Sequence, residues 1–204
     1  VYKRQKYTRY RSAFPQLTEV VGTLETRLNR KYFDESDIGN LLADVLAEQT
    51  GSQIGMMHPG GIRKDLPRGD IMIMDVLDTS PFVDPAQQVE ANGKQLRAIL
   101  EQSLTLHRGL MQLSGLEVVY DISRPVRQRL VSVKYQGYEV EDDNIFTIGV
   151  SGIIARGMDH YSQFLDTKII QGFEPLSDLM IAYFRKHGTV ALPDRGRQTD
   201  LSGQ

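Results

Sequence analysis

The segment EVVGTLETRL, residues 19–28, alternates apolar and polar positions at the two-residue period of a half-buried strand and ends in a charged turn. The period then lengthens. In ESDIGNLLADVLAEQTG, Leu41, Leu42, Val45 and Leu46 recur on one face of a helix; Ser36 or Asp37 is placed to cap its first amides, and Gly51 to end it. QIGMM predicts a short buried strand that leads directly into HPGGIRKDLPRGDI, residues 58–71. IMIM, 71–74, is too short and too uniformly apolar to be anything but buried strand or the edge of a helix.

Further on, QQVEA predicts a strand and Asn92-Gly93 a tight turn, after which Leu96, Ile99, Leu100 and Leu104 form a helical stripe. LEVVYD, RLVSVKY and IFTIGV predict strands separated by Asp, Pro, Gly and Asn turns. A last helix spans about 175–187, with Leu176, Leu179, Met180 and Tyr183 on one side; the polar, glycine-rich tail PDRGRQTDLSGQ is expected to fray. Without repeats or low-complexity blocks, these elements make an α+β domain of mixed sheets covered by helices.

Composition narrows the chemistry more than the fold. At 204 residues the chain is long enough to bury a core, and 24 Lys and Arg against 26 Asp and Glu leave no global field for a nucleic acid. Residues 1–14 are basic and aromatic, but such a stretch at a terminus is more often a docked helix or linker than a nucleic-acid arm. No cysteine is present for a disulfide, a thiolate metal site or a nucleophile, and no apolar run is long enough to span a membrane. The start at Val1 points to a processed protein or a piece of a larger one.

His58, His107, His160 and His187 are far apart in sequence and outside HExxH, DxH or HxH patterns, so they are expected as surface or loop histidines. GxSxG, GxxxxGK[ST] and GxGxxG are absent. Binding is the remaining role. Gly60-Gly61 lets backbone approach a ligand, and Arg63 offers a planar fork of donors to phosphate or ribose oxygens; the alternative is a turn needing positive φ with Arg63 on the surface. Phe82, beside Pro81, either stacks a base or fills the core, and Asp159 either accepts from ribose hydroxyls or caps a turn.

The order of segments resembles the C-terminal domain of the 5'-nucleotidase family, which includes UDP-sugar hydrolases and 2',3'-cyclic phosphodiesterases. VVGTLETRLNR is followed by ESDIGNLLAD, GGIR, GDI, SPF, NGKQLRAILEQSL, MQLSGLEVVYDISRP and RGMDHY, over roughly residues 18–165. The resemblance implies an α+β domain layered α/β/β/α at 18–190, an interdomain linker helix at 1–17 and a flexible tail at 191–204. It also implies a nucleoside or nucleotide ligand and a partner N-terminal metallophosphoesterase domain of the same parent protein, which holds the divalent metal pair. This chain itself would bind no cofactor, no metal and no nucleic acid, and the parent would be periplasmic, secreted or on the cell surface.

Position by position, the resemblance gives Arg63 the ribose and phosphate side of the ligand, Gly60 and Gly61 the backbone beneath it, Phe82 a base-stacking face and Asp159 the ribose hydroxyls. The chain departs from the family at His58 and Pro59, which replace the first two residues of NGGGIR, and at Ile153, where a second aromatic is usual. Met158 and His160 stand where the family usually has glycine. Two readings follow: a substrate-orienting domain for a separate catalytic domain, or a non-catalytic structural or interaction domain with a degenerate pocket.

Overall fold

The computed structural model describes residues 13–203. The expected linker helix at 1–17 falls mostly outside them; of its last residues, Pro15 to Leu17 belong to a single 3-10 turn, Pro15–Thr18. After it come β1 (Val20–Leu24), α1 (Asp37–Thr50), β2 (Ile54–Met57), β3 (Gly69–Met72) and α2 (Ile73–Thr79), so IMIM straddles a strand end and a helix start. Next are β4 (Pro85–Asn92), α3 (Gly93–Ser103), β5 (Gln112–Ser114), β6 (Leu116–Tyr120), β7 (Leu130–Tyr135) and β8 (Tyr138–Glu139). The chain finishes with β9 (Ile145–Ser151), α4 (Gly152–Ala155), β10 (Lys168–Pro175), α5 (Leu176–His187), β11 (Thr189–Val190) and β12 (Gln198–Asp200).

These strands form a central five-stranded sheet ordered β10-β4-β9-β2-β5, flanked by sheets ordered β11-β1-β3 and β12-β6-β7-β8. The fold is α+β with mixed sheets, since β2 runs parallel to β9 while β4 runs antiparallel to it. Alternation along the central strands builds a core on each face. Val89, Ala91, Ile148 and Val150 point to a cluster containing Leu96, Ile99 and Leu100 of α3, together with Val118 and Val133 of the four-stranded sheet. Met57 and Ala86 point the other way, to a cluster with Leu41, Leu42, Val45 and Leu46 of α1, Phe184 of α5 and Val21 of β1.

Helix α1 rests directly on the central sheet because the strands beneath it carry glycine: a Cβ on Gly55 would lie 1.9 Å from the Ala43 carbonyl oxygen, and one on Gly149 2.7 Å from that of Leu46. Its caps are those expected. Ser36 accepts from the Gly39 amide, and Gly51 leaves the helix in the left-handed region at φ 63°. Gln112, fully buried, closes the seam by accepting from the Ser36 amide at 2.7 Å and donating to the Asp34 and Leu110 carbonyls at 3.1 and 2.8 Å.

Two expectations are corrected. Asn92-Gly93 is not a hairpin turn but a helix start: Asn92 accepts from the Gln95 amide at 2.8 Å while Gln95 accepts from the Asn92 amide at 2.7 Å, and Gly93 is needed because a Cβ would lie 2.0 Å from the Glu141 carbonyl. The tail, expected flexible at 191–204, is anchored as far as it is described. β12 pairs in parallel with β6, and Arg195 and Arg197 grip Asp37 and Asp44, two turns apart on α1, each by two hydrogen bonds of 2.5–2.8 Å. Polar composition alone could not reveal partners supplied by a distant helix.

Candidate functional site

The parallel strands β2 and β9 end side by side, Met56 beside Val150, and antiparallel β4 enters at the same edge with Ala86 opposite Ser151. The loops after β2, before β4 and after β9 therefore converge. Crevices outside the carboxyl ends of parallel strands are favoured ligand sites. Here the crevice is a cavity of about 110 Å³.

The first loop supplies His58, Gly60 and Gly61 to its wall. Pro59–Gly61 form a 3-10 turn closed by the Gly61 amide on the His58 carbonyl at 3.0 Å. Neither glycine has a positive φ, so the left-handed turn considered from sequence is not what requires them. Space is. A Cβ on Gly60 would sit 2.6 Å from Cε1 of the His58 ring, and one on Gly61 2.8 Å from the Met57 methyl. Arg63 does not line the cavity: its Nη1 donates back to the Gly60 carbonyl at 3.3 Å, and it borders a separate basic cleft with Arg27, Arg30 and Arg68.

The second loop supplies Phe82 and Asp84. Phe82 is 40% exposed and belongs to neither core. The segment after β9 adds Ile153, in α4, and Asp159, in the turn that follows it. Asp84 pins the two loops together, accepting from the Ile153 amide and from Arg156 Nη2, both at 2.5 Å. Gly152 makes room for this contact, since a Cβ there would lie 2.9 Å from Asp84 Oδ2. Sequence reasoning passed over Asp84 and Arg156; the one available signal was an acid in the proline-bracketed turn SPFVDP, two residues after the aromatic.

Asp159 and His160 are consecutive left-handed residues, φ 52° and 70°, a conformation that costs a residue with a side chain about 1–2 kcal/mol. Asp159 lies between β9 and β10, in the turn that joins α4 to a 3-10 helix at Ser162–Asp166. Its carboxylate stands 3.8 Å from His58 Nδ1 and 3.7 Å from Arg108 Nη2, too far for hydrogen bonds, which leaves its lone pairs available to hydroxyls.

His107, His160 and His187 are exposed, as expected, but His58 is not. His58 is 6% exposed, and the His107 and His160 rings meet edge to face at 4.4 Å. Burial pushes the His58 pKa below the usual imidazole value, outweighing the attraction of Asp159 and a hydrogen bond to the Arg108 backbone, while the Arg108 charge lowers it further. His58 Nε2 is buried without a partner. Among the described residues no group of three or more His, Asp or Glu is placed to hold a metal ion, and no helix is long and apolar enough to cross a membrane.

The cavity loops lie within a match to the family model described as the 5'-nucleotidase C-terminal domain, which covers residues 20–166. A 5'-nucleotidase-related protein of Glossina morsitans morsitans is 28% identical over 81% of this chain and 35% of its own length. An apyrase of Tabanus yao is 24% identical over 88% of this chain and 37% of its own. The crystal structure of a 5'-nucleotidase precursor from Thermus thermophilus superposes with a TM-score of 0.86 at 24% identity, over 98% of this chain and 43% of that one. This chain thus spans little more than a third of the two relatives compared by sequence.

Proposed function

The chain belongs to the 5'-nucleotidase C-terminal domain family, and from that premise we propose that its cavity holds the base and ribose of a nucleoside or nucleotide. One observation carries the reading: Phe82, a phenylalanine kept out of both cores, lines one cavity together with Ile153 and Asp159. A ring held against Phe82 gains about 1–3 kcal/mol from stacking. Ile153 closes the other side with an aliphatic wall, and Asp159 accepts from ribose hydroxyls. Arg63, outside the cavity but tied to its Gly60 turn, meets the phosphate side of a ligand extending past that turn.

In this proposal the domain orients substrate for a metallophosphoesterase domain of the same parent protein, whose divalent metals activate water and polarise the phosphorus centre. The contribution of this chain is position: it fixes the nucleoside so that the phosphate reaches the partner domain in one orientation. The extracytoplasmic location expected from the resemblance belongs to the same proposal.

The test is calorimetric titration of the 204-residue chain with nucleosides, nucleoside monophosphates and UDP-sugars, repeated with Phe82→Ala. At least one ligand is expected to bind, and Phe82→Ala to weaken it by about 5- to 150-fold, the stacking range expressed as affinity. Equal binding by Phe82→Ala would remove the base from this cavity. Silence across the panel from a folded chain would favour the degenerate pocket.

A further inference from the structure

Phe82 and Ile153 give the proposed slot two faces, and faces stack any base. Selection between bases depends on polar groups that meet the edge, and Asp84 is an acidic residue of the cavity lining. Asp84 lines the cavity, is two residues from Phe82, and holds Ile153 by its amide. Its side chain is only 15% exposed. Each carboxylate oxygen accepts one protein hydrogen bond, Oδ2 from the Ile153 amide and Oδ1 from Arg156. A carboxylate has about four lone-pair sites, so the edge still offers acceptors and has no donor of its own. Beside it, the half-exposed Arg156 guanidinium adds donors at the rim.

Resting on the reading of this cavity as a base site, we propose that Asp84 and Arg156 determine its specificity and select guanine. Guanine presents two adjacent donors, N1–H and the 2-amino group, next to the O6 acceptor, which matches a carboxylate flanked by a guanidinium. Adenine places its N1 lone pair where the carboxylate stands. The two like partial charges repel, and the lone pairs of Asp84 that Ile153 and Arg156 do not use gain no donor from the base. Hypoxanthine keeps N1–H and O6 but lacks the 2-amino group, so inosine falls between.

The experiment titrates the 204-residue chain with guanosine, inosine, 1-methylguanosine and adenosine, then repeats the series with Asp84→Asn. Guanosine is expected to bind more tightly than adenosine by about 5- to 150-fold, the range of a bidentate base contact, with inosine intermediate and 1-methylguanosine reduced to the level of adenosine. Asp84→Asn keeps the shape, exchanges one acceptor for a donor, and narrows or reverses the preference. Where that variant fails to fold, the ligand series on the unaltered chain decides. Adenosine binding as tightly as guanosine would overturn the proposal while leaving the base site standing. No binding by any member would overturn this proposal, and the base site falls with it only where the pyrimidine nucleosides and UDP-sugars of the wider panel are silent too.

Discussion

The seam between α1 and the central sheet and the rim of the cavity are built from the same two strands, β2 and β9, and they hold opposite kinds of structure. In the seam, glycines bring helix and strands into contact, and Gln112 pairs both ends of its amide. At the rim, just beyond those strands, His58 Nε2 is buried without a partner and Asp159 and His160 are left-handed, while Phe82, from the loop before β4, is left exposed. Strain and unmet polar groups persist where surrounding packing holds them in place and a ligand can use them. The seam is the packing that holds them.

The comparison is tested most strongly by closing the seam. Gly55→Ala places a methyl 1.9 Å from the Ala43 carbonyl oxygen, backbone against backbone, where no side chain can turn aside. It is expected to cost about 3 kcal/mol or more, a fall in Tm of roughly 6–12 °C for a chain of this size. Urea denaturation measures it. A loss under about 0.5 kcal/mol would mean that α1 lifts freely from the sheet, and the contrast with the rim would lose its rigid side.

A smaller effect is expected where the tail meets the seam. Arg197 is 14% exposed and bonds both oxygens of Asp44, at 2.7 and 2.8 Å, and the Leu113 carbonyl at 2.7 Å. Arg195 makes an equally short pair with Asp37 but is 63% exposed. Arg197→Ala takes two bonds from Asp44, which keeps the Ser114 hydroxyl at 2.6 Å, and one from the Leu113 carbonyl, and is expected to cost about 1–2 kcal/mol; Arg195→Ala strips its pair from Asp37, whose side chain is only 6% exposed, and is expected to destabilise at least as much. No loss from either variant in chemical denaturation would show that the tail stabilises α1 through strand pairing alone.

What was legible in the sequence follows the range of the forces involved. The faces and caps of α1 and the stripe of α5 depend on residues a few positions apart, and they stand where the pattern put them. The grouping of Phe82, Ile153 and Asp159 was reached through the resemblance; their meeting at one cavity depends on strand register, which no local pattern contains. Asn92-Gly93 was misread because the same dipeptide chemistry serves a hairpin and a helix cap. Gly60 and Gly61 were read as a turn or an opening for a ligand; the structure adds a packing reason no local pattern holds, the buried His58 ring against Gly60. Asp84 stayed hidden because its partners, Ile153 and Arg156, are about seventy positions away.

The smallest expected effect belongs to the rim, and its size is the point. His160→Gly reverses the exchange made at Gly55: a side chain is removed from a residue at φ 70°. Relief of the left-handed conformation gains about 1–2 kcal/mol. Greater freedom of the unfolded chain takes back about 0.4–1 kcal/mol, and loss of the edge contact with His107 removes most of the rest. Net stability is therefore expected to change by less than about 0.5 kcal/mol in the denaturation assay that registers several for Gly55→Ala. A large loss at His160 would show that the His107 pairing holds the turn, making the rim as tightly built as the seam. A negligible one would show that the contact with His107 does no more than offset the strain of the left-handed backbone at His160.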